Sequence, residues 1–365
     1  MDRIQNVDAV VIQRDWPVNT STYRQVMQQA RQYNKPVIYD LDDLLLDLPI
    51  THANYNRYRA CRPHIALALA EADLVTCSTA TLASTVSAFV PNARVLPNYL
   101  PDDLWRPILD QPLPEPTPSQ PLCIGYCGGH SHGPDIEMIQ PVLLDLLNEF
   151  AGQIQLCFWG LRPPPQLLDR EDVRWEAVEI GEYVDFVKYF GTQRCDIFLA
   201  PLLDSLFNRC KSGLKFLEYS ALGIPGIYSR LEPYQELVIH GENGYLATDL
   251  SEWDKFLRRL IADPGLRQRM GKAAKESVAN HWLLGTHAAR WQEKYTDAID
   301  QVATGKRTNQ QIPLAVMTAW HDELNDALAL SESNNQQKMA EIAAIEERRH
   351  AEIAAFEERR RVEMA

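Results

Sequence analysis

The sequence lacks several features that would place it at once in a large class of proteins. Nowhere do about 18 uncharged apolar residues occur in a row, and Met1 is followed by charged and polar residues rather than by the apolar run of a signal peptide. We therefore expect no transmembrane segment. Positive charge is in the minority, since 36 Lys and Arg residues face 49 Asp and Glu residues and the formal net charge is −13. A general attraction to nucleic acid or to an anionic membrane is not expected from this balance, which still allows a local basic pocket.

Cysteine pairs and familiar catalytic motifs are missing as well. The seven cysteines are odd in number, and several lie inside apolar, strand-like segments, so we expect reduced core residues and a cytoplasmic protein. There is no P-loop, no complete Rossmann glycine fingerprint and no Ser-His-Asp arrangement. No Cys or His pairs have the spacing of zinc ligands, which argues against a zinc site.

Strand and helix signals alternate through the first hundred residues. The strand candidates are residues 8–14, 36–43, 73–79 and 93–100, and the helix candidates are 21–33 and 54–72. Alternation of this kind predicts parallel βαβ units with helices packed on the sheet. Four strands are few for a doubly wound domain, so we expect an abbreviated first lobe.

A proline-rich connector separates this lobe from a second α/β unit. Seven prolines between residues 101 and 121 predict an extended, semi-rigid segment. The predicted organisation is a first lobe over residues 1–105, a linker over 106–121, a second lobe over 122–284, a closing helix over 285–304, a linker and helix over 305–336, and a helical tail over 337–365.

The tail contains a repeat of its own. Residues 340–350 read AEIAAIEERRH and are followed by AEIAAFEERRR over 351–361. An apolar period of 11 residues favours a slight right-handed supercoil if helices pair. A coiled coil that self-associates and a solitary charged helix supported by Glu-Arg pairs are both compatible with this pattern.

Deleting residues 337–365 distinguishes these two alternatives. If the tail self-associates through its apolar seam, the deletion lowers the mass per particle measured by light scattering in solution. An unchanged mass would instead support the solitary helix.

The central stretch 195–228 predicts a strand, a loop, a helix over 212–222 and a second strand. Lys211, Lys215 and Glu218 fall on one stripe of that helix. Two lysines near a helix N-terminus repel each other and are repelled by the partial positive charge of the helix end. An anion bound there would make this arrangement of positive charges favourable. The alternative is a solvated surface on which Glu218 partly neutralises Lys215.

A second strand-to-helix junction carries glycines and histidines in the segment GYCGGHSHGPD over residues 125–135. Gly128 and Gly129 would let backbone N–H groups approach an anion, with His130 and His132 beside them. The alternative is a tight turn with exposed histidines.

Three carboxylates cluster where the predicted strand 36–43 ends. Asp40, Asp42 and Asp43 lie at the carboxyl end of the strand, where open α/β sheets bind ligands. They could hold a divalent metal that carries a nucleotide diphosphate, or act as a base on an acceptor hydroxyl. The alternative is helix capping and loop solvation.

Three segments of the second lobe form a recognisable series: LAPLLDS (199–205), NRCKSGLKFLEYSALGIPGIYSRLEPYQELVIHGENGYLATD (208–249) and ADPGLRQRMGKAA (262–274). Taken in this order, they resemble the donor-binding lobe of the group 1 (family-four-like) glycosyltransferases of GT-B fold. VLPNYLPDDLW (95–105) is similar to the element that ends the first lobe in such enzymes, and the whole resemblance covers about residues 5–300.

The resemblance implies an enzyme with two Rossmann-like lobes that binds a nucleotide-sugar between them. The sugar would pass to an acceptor hydroxyl in glycan or glycoconjugate assembly, with the anomeric configuration retained and without a cofactor or a required metal. Glu218 would bind the nucleotide ribose. The implied donor-binding residues are Gly128, Gly129, Lys211, Ser212, Gly213, Lys215 and Glu218, and the candidate catalytic residues are Asp42, Asp43 and His130.

Two departures from the family pattern bear on activity. Position 210, eight residues before Glu218, carries a cysteine where such enzymes have an acid, and the usual Arg and Lys are missing after GYCGG. We infer that Lys211 and Lys215 neutralise the diphosphate instead. Two other functions stay open, namely a nucleotide-sugar epimerase and a weakened nucleotide-sugar binder that the helical tail assembles into oligomers.

Overall fold

The computed structural model describes residues 3–14, 16, 20–87, 90, 92–113 and 121–307. These residues belong to one compact unit, Met1–Gln311. The predicted tail over 337–365 lies outside the described residues, so its helical structure and its self-association stay predictions.

A four-stranded parallel sheet with the order β1-β2-β3-β4 forms the first lobe. Its elements are β1 (Val10–Gln13), α1 (Thr20–Gln32), β2 (Val37–Leu41), α2 (Tyr55–Glu71), β3 (Leu74–Cys77), α3 (Ala80–Val86) and β4 (Ala93–Val95), preceded by a short 3-10 helix, Ile4–Asn6. Every residue of β3 is buried, as expected for a central strand covered on both faces. The described strands of this sheet follow one another in a single direction, so the lobe is half of a doubly wound domain.

A six-stranded parallel sheet with the order β10-β9-β8-β5-β6-β7 forms the second lobe. The chain enters it through α4 (Asp102–Leu109) and continues with β5 (Leu122–Gly128), a 3-10 helix (His130–His132), α5 (Gly133–Glu149), β6 (Ile154–Gly160), α6 (Pro165–Leu168), β7 (Val173–Glu176), α7 (Tyr183–Phe190), β8 (Ile197–Ala200), α8 (Leu206–Arg209), α9 (Leu214–Ala221), β9 (Gly226–Ser229), α10 (Glu232–Gln235), β10 (Tyr245–Ala247), α11 (Leu250–Ala262), α12 (Pro264–His281) and α13 (Leu284–Ala303). The strand order reverses between β5 and β8. Open α/β sheets bind ligands outside the carboxyl ends of the strands at such a switch point.

Strand β5 shows how the sequence divides the core of this lobe. Its side chains alternate between the two faces of the sheet, so Cys123 and Cys127 join one apolar cluster and Ile124 and Tyr126 join the other. The seven cysteines all lie within the described residues, are buried and form no disulfide bond.

The two lobes are joined by a pair of adjacent chain crossings. The Leu100 N–H donates to the Trp282 carbonyl at 2.9 Å, and the Leu284 N–H donates to the Leu100 carbonyl at 2.9 Å. Tyr99 stacks on His287 with ring centroids 4.2 Å apart. Helix α13 then returns to the first lobe.

The predicted fold class, α/β with two Rossmann-like lobes and an abbreviated first lobe, is confirmed. Helix α4 begins where the sequence predicted the first lobe to end, but it continues past residue 105 into the predicted linker. It does so because Trp105 and Ile108 lie on one face and are buried, which outweighs the proline at position 107 within the helix. None of the described helices is both long and apolar enough to cross a membrane.

Candidate functional site

The turn before α9 lies against the first lobe. Thr79 Oγ1 donates to the Cys210 carbonyl at 2.9 Å, and Asn98 Nδ2 donates to Ser212 Oγ at 3.1 Å. Both contacts join residues of the first lobe or its exit to the segment that follows β8. The candidate site is therefore the region between the lobes, at the switch point of the second sheet.

Glycine at position 213 is required for the close approach of this turn to the neighbouring loop. A Cβ atom there would lie 2.2 Å from Leu237 Cδ1 and 2.5 Å from the Pro233 carbonyl oxygen. The backbone carbonyl would not move without displacing α10. Gly213 thus fixes where α9 begins and where its first N–H groups lie.

Lys215 occupies the first turn of α9 and points over β5. Its Nζ lies 5.6 Å from the centroid of the Tyr126 ring. Burial lowers the pKa of Lys215, and the nearby charge of Lys211 lowers it further, while Cys127 and Glu218 oppose the shift. The two lysines predicted to share one stripe therefore do act on each other, and an anion between them would relieve the repulsion.

Glu218 lies one turn further along α9. Burial raises its pKa to about 7, opposed by Lys215 and by a hydrogen bond from Tyr183. The Tyr183 hydroxyl donates to Glu218 Oε1 at 3.1 Å and accepts from Trp105 Nε1 at 3.2 Å. Trp105 and Tyr183 thus orient the carboxylate. The sequence around Trp105 and Tyr183 does not predict that these two residues hold Glu218.

The glycine loop after β5 carries both histidines named from the sequence, but the one that the structure buries is His132, which was not among the predicted catalytic residues. His130, the predicted catalytic candidate, is exposed. His132 is almost buried, and its Nδ1 lies 2.8 Å from Asp135 Oδ2. Burial lowers the pKa of His132 to about 4, and the charge of Lys215 lowers it further. Space is open beside Gly129, where a Cβ atom would meet no atom within 4 Å.

Asp135 in turn holds the loop that follows β8. Its Oδ1 accepts from the Leu203 N–H at 2.7 Å and from Asn208 Nδ2 at 3.2 Å. The side chains of Asp135 and Asn208 are buried. The HxxD spacing of His132 and Asp135 at the start of a helix was a usable signal for this network.

The predicted acidic cluster lies on the first-lobe side. Asp42 Oδ2 is 2.5 Å from Arg14 Nη1, and Asp43 Oδ2 is 3.4 Å from Arg14 Nη2. Asp40 accepts from the Thr76 hydroxyl at 2.5 Å. Burial raises the pKa of Asp42, and Asp43 raises it further, while Arg14 opposes the shift.

Asp43 is the acid of this cluster that reaches the other lobe. Its Oδ1 lies 3.6 Å from Lys211 Nζ, so the predicted acidic and basic residues are brought together by one ion pair.

Cys210 faces the first lobe. Its side chain is fully buried, and its Sγ lies 3.6 Å from Thr85 Oγ1 of α3. The position where the resemblance implied an acid thus contacts the first lobe. Within the described ranges, no group of three or more His, Cys, Asp or Glu side chains is arranged to hold a metal ion.

A cavity of about 1250 Å³ lies elsewhere on the second lobe, beside β6 and β7. None of the predicted site residues lines it. The residues around it include Trp159, Arg174 and Gln193.

Comparisons with known proteins match the second lobe to one family. Residues 124–263 fit the family model described as Glycosyl transferases group 1. The chain is 30% identical over 178 residues to a D-inositol 3-phosphate glycosyltransferase of Corynebacterium jeikeium, a match that covers 47% of this chain and 35% of the relative. The chain spans about a third of the length of the curated relatives it matches.

Solved structures extend the likeness to both lobes. HepE of Anabaena in complex with UDP and glucose has a TM-score of 0.55 and 18% identity, and the match covers 81% of this chain and 79% of that one. Sucrose-phosphate synthase of Thermosynechococcus elongatus has a TM-score of 0.56 and 16% identity, covering 80% of this chain and 74% of that one. At these identities the likeness bears on the fold alone, and the predicted GT-B architecture is confirmed.

Proposed function

We propose that the chain transfers a sugar from a nucleotide-sugar donor to an acceptor hydroxyl, because residues 124–263 match the family model of the group 1 glycosyl transferases. The observation that carries the proposal is the placement of Lys211, Lys215 and Glu218 around the start of α9, at the switch point of the sheet. The donor's diphosphate would lie between the two lysines and the glycine loop. Its ribose would reach Glu218, about one helical turn away.

The chemistry of such a site is electrostatic. Negative charge grows on the diphosphate as the bond to the sugar breaks, and fixed positive charge in a partly buried site stabilises it. Lys211, Lys215 and the N-terminus of α9 supply that charge. We propose that no divalent metal is required, because the lysines take its place, and that transfer retains the anomeric configuration as the family resemblance implies.

The remaining predicted residues receive proposed roles by position. Gly129 leaves open space for the donor at the end of β5, and Gly128 beside it, where a Cβ atom would lie 2.6 Å from the Tyr126 hydroxyl oxygen, would approach the donor only through its backbone. Ser212 and Gly213 set the start of α9. His130 is exposed beside the glycine loop and would contact the transferred sugar. Asp42 and Asp43 would face the acceptor from the first lobe. We place the protein in the cytoplasm, where nucleotide-sugars are available.

The test uses uridine nucleotides first, because HepE was solved with UDP. The full chain is incubated with UDP-sugars, then GDP- and ADP-sugars, together with a panel of glycan and lipid-linked acceptors. Release of nucleoside diphosphate together with a product heavier by one sugar supports the proposal. Free nucleotide without any acceptor or heavier product would indicate the epimerase instead.

A second candidate function is favoured by Cys210. Because its side chain is buried against Thr85, no acid stands at position 210 to contact the sugar, as expected for a weakened enzyme. Measurable nucleotide binding with no turnover of any donor would support a nucleotide-sugar-binding scaffold.

The pKa of Glu218 leads to a prediction about pH. The ionised carboxylate accepts stronger hydrogen bonds from ribose hydroxyls than the protonated acid does. Its pKa is raised from 4.5 to about 7, so affinity for UDP-glucose should fall as the pH drops below 7, by up to roughly tenfold per pH unit. The diphosphate of a nucleotide-sugar does not change charge in this range. Calorimetric titrations between pH 5.5 and 8.5 measure the effect.

The matched variant is Glu218→Gln, which keeps the shape of the side chain and removes its titration. It should bind UDP-glucose more weakly than the wild type at pH 8, with an affinity that no longer depends on pH. A wild-type affinity that is constant over this range would contradict the role of Glu218.

A further inference from the structure

An ion pair between Lys211 and Asp43 spans the region between the lobes. Lys211 Nζ lies 3.6 Å from Asp43 Oδ1. Charge-assisted hydrogen bonds between such groups are typically about 2.7–2.9 Å long, so the pair is a loose electrostatic contact rather than a direct hydrogen bond. The exposed fractions of the two side chains are only 16% and 21%, so solvent ions screen the attraction less than on an open surface.

Each charge has a further partner that does not depend on the pair. Asp43 Oδ2 lies 3.4 Å from Arg14 Nη2 in the first lobe. Lys211 Nζ lies 4.4 Å from the centroid of the Phe207 ring in the second lobe. Separating Lys211 from Asp43 would therefore leave neither group without a favourable contact.

The backbone around Lys211 is held by separate contacts. The residue before it is held by Thr79 through the Cys210 carbonyl, and the residue after it is held by Asn98 through Ser212 Oγ. The lysine side chain can therefore change its partner by rotation while the turn keeps its place between the lobes.

We propose that Asp43 holds Lys211 until the donor arrives, and that the donor's diphosphate then takes Lys211 from Asp43. The inference rests on the proposed function, which assigns Lys211 to the diphosphate. The exchange frees one oxygen of the Asp43 carboxylate, still anchored by Arg14, on the first-lobe side where the acceptor enters. Asp43 thus becomes available to an acceptor hydroxyl only after the donor is bound, and the substrates bind in that order.

Because Asp43 competes with the donor's diphosphate for Lys211, removing the charge of Asp43 should tighten donor binding. Asp43→Asn keeps the size of the side chain and removes its charge, so its Kd for UDP should fall about two- to fivefold, the range expected for losing a partly exposed ion pair. Asp169→Asn removes the same charge from an exposed position of the second lobe and is the matched control. Its Kd should equal that of the wild type.

A double-mutant cycle separates the exchange from simple repulsion between Asp43 and the diphosphate. In a Lys211→Met background, Asp43→Asn should leave the Kd for UDP unchanged. The proposed exchange would be overturned if Asp43→Asn lowered the Kd for UDP equally in the Lys211→Met background, or did not lower it in the wild-type background. A wild-type chain that binds none of UDP, GDP and ADP would contradict the proposed function instead, so the two failures are distinguishable by calorimetry.

Discussion

Lys215→Met should weaken UDP binding by roughly 30- to 150-fold, which corresponds to ~2–3 kcal/mol for the loss of a hydrogen bond to a charged group. Lys215 lies in the first turn of α9, and in the free protein it lies over Tyr126 beside the charge of Lys211. Methionine has a similar length and apolar stem, so it fills the same space without the charge. Isothermal titration calorimetry measures the change.

The fold should survive this substitution, because burial already disfavours the charged form of Lys215. The free energy of unfolding in urea should be equal to or slightly above that of the wild type. Lys188→Met is the matched control, since Lys188 lies in the same lobe with a side chain that is 72% exposed. Equal UDP affinity in the wild type and both variants would refute the placement of the diphosphate.

Cys210→Glu should destabilise the protein by about 3 kcal/mol or more, the cost of a buried charge without a partner, although it restores the residue type that related enzymes carry. The side chain at this position is fully buried against Thr85. Burial raises the pKa of the Cys210 thiol, and the negative charges of Glu232, Asp43 and Asp47 raise it further. A carboxylate there would meet the same three negative charges.

The measurement is the free energy of unfolding in urea, with Cys210→Ser as the control. Serine is close in size and can keep the contact with the Thr85 hydroxyl, so it should cost much less than glutamate. We also expect no gain of transferase activity in Cys210→Glu. A variant as stable as the wild type and more active would mean that position 210 faces the donor.

The sequence alone predicts those features of the fold that depend on residues close together in the chain. An apolar run of consecutive residues predicted β8, and a glycine followed by a proline predicted the end of α9. The structure has both elements within a few residues of the prediction. Helical periodicity also placed Lys215 and Glu218 on one face of α9, whereas the prediction that Lys211 lies on the same helix was wrong, because the helix begins at Leu214 and Lys211 lies in the turn before it.

Contacts between distant segments were not predictable in this way. The hydrogen bonds that link Trp105, Tyr183 and Glu218 join residues 35 or more positions apart, and no spacing rule connects them. The orientation of Cys210 depends on where α3 of the first lobe lies, which is a matter of tertiary packing. His132 could have been preferred to His130, since a carboxylate three residues later lies on the same helical face.

The return of α13 to the first lobe affects the order in which the chain can fold during synthesis. Ala298 of α13 packs against Ile38 and Leu74, and Asn34 Nδ2 donates to the Val302 carbonyl at 3.3 Å. The lobe that leaves the ribosome first therefore exposes part of its core until residues near 300 have been made. The second lobe holds all of its strands between residues 122 and 247, so it can complete its sheet earlier, and the first lobe to be synthesised is the last to be finished.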